Sequence, residues 1–215
     1  KGYSGLEMIV WDLCCGLGKL GHEVTLFAPE GSQSLPNGHL VITGPALQTT
    51  NVDWIKSEQD ASKIYLSYAE SLNILHGNNW FGFEYSAKAK NPNVKICHTH
   101  HGHLDPNWWM RTKPPFKLNF IAISKWMQAS YKNIGMASEY AYNGIEIEKY
   151  PMKVKKTDKL LYVGRFDKFK QPHVAIEIAK KLGMKLDLVG GTFVQDKAYV
   201  EQIKSQCDGK QICFY

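Results

Sequence analysis

The chain has 215 residues, 44% hydrophobic and 21% charged; that is the composition of a globular protein of one to two domains and excludes wholesale disorder and a coiled coil. No apolar run approaches the roughly 20 residues of a membrane-spanning helix, which excludes that class as well. The net charge is +6, with thirteen basic and thirteen acidic residues in 1–150 and thirteen and seven in 151–215, so the whole surplus sits in the last third.

In chain order, Leu6, Ile9, Val10, Leu13, Leu17 and Leu20 recur at helical spacing, and Gly21 is a natural stop. The stretch VTLFAP, ended by Pro29, predicts a strand, EGSQSLPNGH a loop, LVIT (40–43) a second strand and residues 57–73 a helix. Then follow strand 72–77, helix 80–90, strand 94–100, strand 119–124, helix 125–134 and strand 139–144. A second series starts near 158 with strand KLLYVG, helix 172–182, strand KLDLVGG, helix 196–206 and strand QICFY. Short apolar strands alternating with helices predict βαβ units, an α/β fold with parallel sheets covered on both faces. The polar stretch IEIEKYPMKVKKTD places a domain boundary near 150–157, giving domains 1–150 and 151–215. The chain opens on a glycine loop leading straight into a helix and stops on a strand, which predicts a first domain lacking its first strand and a truncated second one.

The five cysteines form an odd set without a CxxC pair, and Glu7 and Asp12 interrupt the opening apolar stretch, unlike a signal peptide. Both features predict reduced thiols and a cytoplasmic protein. Adjacent Cys14 and Cys15 read as small side chains packed in a helix.

Four segments bear chemistry. Ser4-Gly5 precedes the first helix, where exposed backbone N–H groups and the helix dipole favour an anion such as phosphate; a simple turn is the alternative. In VGRFDKFK, Gly164 and Arg165 sit at a strand's carboxyl end, where open α/β sheets bind ligands. Arg165 is one of only two arginines among 26 basic residues, and its planar fork matches a phosphate in a way that ammonium cannot. Lys170 stands just before the next helix, so a diphosphate site is one reading and a solvated loop with Asp167 paired to Arg165 the other. Val189-Gly190-Gly191 allows close backbone approach to a ligand, or simply a turn. His98-Thr99-His100-His101-Gly102-His103-Leu104-Asp105 gathers four histidines, readable as a metal site, as substrate contacts or as strand-end packing. The aromatic stretches Trp80-Phe81-Gly82-Phe83 and Trp108-Trp109 could stack on a sugar, meet a membrane interface or pack in a core.

Together these stretches resemble the GT-B glycosyltransferases of family 4, a retaining group that uses nucleotide sugars. SGLEMIVWDLCCGLGKLGHEVTLFAP resembles the family's glycine loop, first helix and following strand. VKICHTHHG resembles its strand ending in a Thr-x-His-Gly turn. ISKWMQASYKNIG with YNGIEIEKYP, and LYVGRFDKFKQPHVAIEIAKKL with LVGG, complete the match. The resemblance implies two Rossmann-like domains, an acceptor-side one (1–150) and the first half of a donor-side one (151–215). It implies that Arg165 and Lys170 hold the donor diphosphate, with Gly190 and Gly191 nearby and Gly5 beside the phosphates. It also implies that His101 contacts the transferred sugar, with His100 the rival because the histidine is doubled.

The implied partners are a nucleoside-diphosphate sugar and a carbohydrate or lipid-linked acceptor, with no nucleic acid, no metal or other cofactor, and peripheral contact at the cytoplasmic membrane face allowed by Trp108-Trp109 beside Arg111 and Lys113. The sequence departs from the family in having Ser4 where a paired glycine is usual, and the family's Glu-x7-Glu segment is expected beyond residue 215. Two other readings stay open: a metal-dependent hydrolase built on His98–His103, and a non-catalytic sugar- or nucleotide-binding fragment.

Overall fold

The computed structural model describes residues 5–47, 53–79, 82–102, 119–136, 138–150, 152, 156–191 and 196–215. Its contacts gather into two units, Gly5–Glu146 and Ile147–Tyr215.

In the first unit, helix α1 (Gly5–Lys19) forms on the apolar spacing that starts at Leu6. It ends at Gly21, whose φ of 89° suits a residue without a Cβ, and the His22 N–H closes on the Leu17 carbonyl at 3.1 Å. Strands β1 (Thr25–Ala28) and β2 (His39–Ile42) pair in parallel, Thr25 opposite His39. Helix α2 (Trp54–Ser67) is capped by Asp53, whose carboxylate accepts from the Lys56 N–H at 2.9 Å. Next come β3 (Ile74–Gly77), the one-turn helix α3 (Ala87–Lys90), β4 (Lys95–His100), β5 (Asn119–Ala122), helix α4 (Lys125–Asn133), capped by Ser124, and β6 (Ser138–Tyr140). Strands β3-β4-β5-β6 form one all-parallel sheet in that order, bonded separately from β1-β2. Phe27 of β1 packs edge-on against Tyr65 and Tyr68, so the β1-β2 pair is tied to α2 through aromatic contact.

The second unit runs β7 (Lys159–Val163), α5 (Pro172–Leu182), β8 (Lys185–Val189), α6 (Lys197–Lys204) and β9 (Ile212–Phe214), with strand order β7-β8-β9, all parallel. Phe166, Ile176, Leu186, Leu188, Ile203 and Ile212 are fully buried in one cluster, each contributing roughly 1.5–3 kcal/mol through burial.

Three expectations change in detail. The helix expected over 57–73 starts at Trp54, on the Asp53 cap, and gives way after Ser67 to a 3-10 turn at Ala69–Ser71. The helix expected over 80–90 is a 3-10 turn (Phe83–Ser86) running into α3; Gly82, left-handed at φ 69°, precedes it, and Glu84 is folded inward. The sheets are not covered equally on both faces. In the second unit the strand order advances in one direction, so right-handed crossovers put α5 and α6 on the same face. Leu161 and Val163, on the opposite face, are 65% and 71% exposed. In the first unit Leu75, Ile96, His98, Phe120 and Ala122 line a buried face, while the other runs from exposed Ile74 through half-buried His76, Cys97 and Ile121 to buried Thr99.

Candidate functional site

The carboxyl ends of β3 and β4 carry a polar constellation on both sheet faces. Residues two apart on a strand share a face, and the pairing of Gly77 with His98 sets the register. On the buried face His98 Nδ1 meets Glu84 Oε1 at 2.5 Å, with the two side chains only 3% and 1% exposed. The other Glu84 oxygen accepts from Asn79 Nδ2 at 3.0 Å, and Asn79 Oδ1 accepts from the Gly82 N–H at 2.7 Å. Gly77 makes this possible: a Cβ there would collide with the Glu84 carboxylate. A buried carboxylate is tolerable only when its oxygens are bonded, as these are. His100 is buried two residues on, its ring stacked 5.9 Å from His98 and edge-on to Tyr131 of α4.

The opposite face holds a second ladder. His76 Nε2 lies 2.8 Å from Thr99 Oγ1, and His101 Nε2 lies 3.0 Å from Asn78 Oδ1. His101 is the first residue past β4 and is half-buried. Burial, followed by the charges of His98 and His76, holds its imidazole below the ordinary histidine value. His76 is lowered too, first by burial and then by His98, with Glu84 opposing. Both rings are therefore disposed to be neutral near pH 7. The two histidines that compete in the sequence thus point to opposite sides, His100 into packing and His101 toward the half-covered face. The Tyr131 hydroxyl donates to the Gly102 carbonyl at 3.5 Å, tying the turn that follows to α4.

In the second unit the loop after β7 is organised around Asp167. One of its oxygens lies 3.0 Å from Arg165 Nη2 and the other accepts from the Lys170 N–H at 2.9 Å. The Tyr162 hydroxyl sits 2.9 Å from the Arg165 carbonyl and 3.3 Å from that of Lys170, drawing both ends of the loop together. Gln171, at φ 53°, then turns the chain into α5, whose first residue is Pro172. The Gly190-Gly191 turn after β8 packs on the same loop: Gly164 N–H reaches the Val189 carbonyl at 3.1 Å, Phe166 N–H the Gly191 carbonyl at 3.2 Å, and a Cβ on Gly190 would strike the Gly164 carbonyl. Arg165, Lys170, Gly190 and Gly191 are therefore gathered at one end of the β7-β8 pair, beside the N-terminus of α5. The Arg165–Asp167 pairing of the alternative reading is present. It also steers the guanidinium, which stays 38% exposed. A shallow hollow of about 710 Å³ runs from Lys168 of this loop along α5 and α6, lined also by His173, Glu177, Tyr199 and Gln202.

The family model for Glycosyltransferase Family 4 matches residues 3–149. The chain belongs to glycosyltransferase family 4. Among solved structures it is similar to AviGT4, a glycosyltransferase involved in avilamycin A biosynthesis, at 18% identity and TM-score 0.62, covering 100% of this chain and 56% of that one. It is also similar to a glycosyltransferase from Rickettsia africae ESF-5, at 12% identity and TM-score 0.64, covering 99% and 64%. A third likeness is to the apo form of the lipopolysaccharide outer core galactosyltransferase WaaB, at 14% identity and TM-score 0.54, covering 100% and 64%. This chain thus spans 56% to 64% of the length of the three solved chains. These likenesses give the fold, the α/β architecture of GT-B glycosyltransferase domains. No curated protein matches the chain.

Within this family-4 chain, the matched span holds Gly5, His100 and His101, while Arg165, Lys170, Gly190 and Gly191 lie beyond it. Gly5 opens α1 in the first unit. Ser4, Trp80, Phe81, His103, Asp105, Trp108, Trp109, Arg111 and Lys113 lie outside the described residues. Among the described residues, no group of three or more His, Cys, Asp or Glu side chains is placed to hold a metal ion, and the His98 Nδ1 is engaged by Glu84. No described helix is long and apolar enough to cross a membrane. Sequence reasoning missed Glu84, Asn78, Asn79 and Tyr162. The available signals were a glycine ending a strand, Gly77, followed by a doubled asparagine, and an isolated acid within the apolar run FGFEYSA.

Proposed function

We propose that the protein is a retaining glycosyltransferase that moves a sugar from a nucleoside-diphosphate donor to a carbohydrate or lipid-linked acceptor hydroxyl. Residues 1–150 form its acceptor-side domain and 151–215 the opening of its donor domain. One observation carries the reading: Arg165 braced by Asp167, Lys170, the Gly190-Gly191 turn and the N-terminus of α5 meet at the carboxyl end of β7 and β8. A fork donor and a helix dipole at one strand end, with a lysine in the same loop, suit a diphosphate.

In the reaction, the bond from the anomeric carbon to the diphosphate oxygen breaks and a bond to the acceptor oxygen forms on the same face of the sugar. The acceptor proton leaves with the departing diphosphate oxygen. Negative charge grows on the nucleoside diphosphate, where Arg165 and Lys170 stabilise it. His101, neutral and half-buried, contacts the transferred sugar, while His100 packs behind it. The protein acts in the cytoplasm, with peripheral contact at the cytoplasmic membrane face compatible with a lipid-linked acceptor.

A thermal-shift panel of UDP-, GDP- and ADP-sugars tests the reading. One nucleotide class should raise the melting temperature, since a ligand at 100 times its Kd stabilises by about 2.7 kcal/mol. If no nucleoside diphosphate raises it at millimolar concentration, the reading fails.

A further inference from the structure

The two faces at the end of β4 do different work, and the difference bears on His101. On the buried face Asn79 is held at both ends of its amide, by the Gly82 N–H and by Glu84, and Glu84 is held in turn by His98. Gly77, one residue before Asn78, lies against the Glu84 carboxylate, which fills the space a Cβ would take. Asn78 is thus flanked on both sides by contacts to Glu84, and its side chain reaches the opposite face, where Oδ1 lies 3.0 Å from His101 Nε2. An amide oxygen can only accept, so the ring nitrogen facing it carries the hydrogen.

We propose that Asn78 is a positioning residue that holds His101 as the Nε2–H tautomer, leaving Nδ1 as the lone-pair nitrogen offered to a hydroxyl of the bound sugar. The second half of this statement rests on the glycosyl-transfer reading; the tautomer itself does not. Nothing in Asn78 needs to touch substrate. Its effect passes through the ring, as with other hydrogen bonds that fix which nitrogen of a histidine is protonated. The titratable neighbours that bear on the ring are His76, in the same ladder, and His98, across the sheet beside Glu84. Burial keeps His101 disposed to neutrality, so a single lone-pair nitrogen persists at neutral pH. Were the Asn78 amide turned over, its NH₂ would donate to Nε2 and the ring hydrogen would sit on Nδ1. The two arrangements are therefore distinguishable by direct observation.

The test is long-range proton–nitrogen NMR of the ¹⁵N-histidine-labelled protein, with the His101 signals assigned by their loss in His101→Gln. The wild type should show Nε2–H for His101. Asn78→Leu, close in volume but unable to accept, should release the ring to a mixture of tautomers and lower kcat by roughly threefold to tenfold, the worth of one neutral hydrogen bond. Asn78→Asp, which keeps an acceptor, should retain Nε2–H and raise the His101 titration midpoint. An Nδ1–H ring in the wild type, or the same tautomer mixture in Asn78→Leu as in wild type, overturns the proposal. If Asn78→Leu does not fold, Asn78→Asp decides: an unmoved midpoint overturns it. Should no donor support transfer, glycosyl transfer falls while the tautomer result stands or fails separately.

Discussion

Replacing Gly77 with alanine adds a single methyl to a strand, and the structure gives that change an unusual sign. Gly77 has no positive φ, so on backbone grounds alone the substitution should stabilise by about 0.4–1 kcal/mol through the unfolded chain. The methyl, however, falls where the Glu84 carboxylate lies. Glu84 must then retreat, giving up both His98 and Asn79, in a site where it and His98 are 1% and 3% exposed. Overpacking costs roughly 1–3 kcal/mol and breaking a buried pair roughly 3–5 kcal/mol. Because retreat relieves the overpacking, the two do not add, and a net loss of about 3 kcal/mol follows. Urea unfolding followed by circular dichroism measures it. The same substitution made in a Glu84→Ala background should cost far less, with a coupling of about 2 kcal/mol, inside the range seen for residues in contact. A neutral or stabilising Gly77→Ala, or an equal cost in both backgrounds, would refute the reasoning.

Further predictions concern the donor-side loop, the histidines and the thiols. Tyr162→Phe removes the hydroxyl that draws the Arg165 and Lys170 carbonyls together, and should weaken nucleoside-diphosphate affinity by roughly threefold to tenfold; titration calorimetry would show an unchanged Kd if the loop does not depend on it. His76 and His101 bind protons less readily folded than unfolded. Their contribution is fully present above the ordinary histidine value of about 6.5 and is lost as pH falls from there through the folded values. Urea midpoints should therefore be lower near about pH 5.5 than near about pH 7.5, with part of that difference abolished in the His101→Gln variant; a wild-type midpoint that rises on acidification contradicts the assignment. Burial, with Cys15 beside it, pushes the Cys14 thiol up to about 11, so alkylation at neutral pH should spare Cys14 until the protein unfolds. Peptide mass mapping after a brief native pulse checks this, and early labelling of Cys14 would count against it.

Most of the secondary structure is legible in the sequence because it is encoded locally. Apolar spacing marks α1, and short branched runs mark β4, β7 and β8, each element extending within a few residues of its expected bounds. The helix expected from 125 starts there, on the Ser124 cap, whereas the one expected from 57 starts at Trp54, on the Asp53 cap. What escapes local reading depends on partners distant in the chain. Glu84 looks like one charge in an aromatic stretch until β4 brings His98 to it, and it lies in the 3-10 turn that leads into α3 where a single helix over 80–90 is expected. The doubled histidine is ambiguous for the same kind of reason. Strand alternation puts His100 and His101 on opposite faces, but only the pairing of β3 with β4 and β5 shows that the face of His100 is the packed one and that His101 meets Asn78. The loop at 164–170 falls between these cases: Arg165 and Asp167 are neighbours whose pairing can be anticipated, whereas the Gly164–Gly190 contact requires β7 and β8 to lie side by side.

The most direct measurement is calorimetric titration of the protein with the nucleoside diphosphate selected in the thermal-shift panel, for wild type and Arg165→Ala. The guanidinium makes charge-assisted bonds worth about 1.5–3 kcal/mol to an anion, so the substitution should weaken Kd by roughly 10- to 150-fold. An affinity in Arg165→Ala equal to that of wild type would show that the diphosphate is held elsewhere and would contradict the assignment of this loop as the donor site.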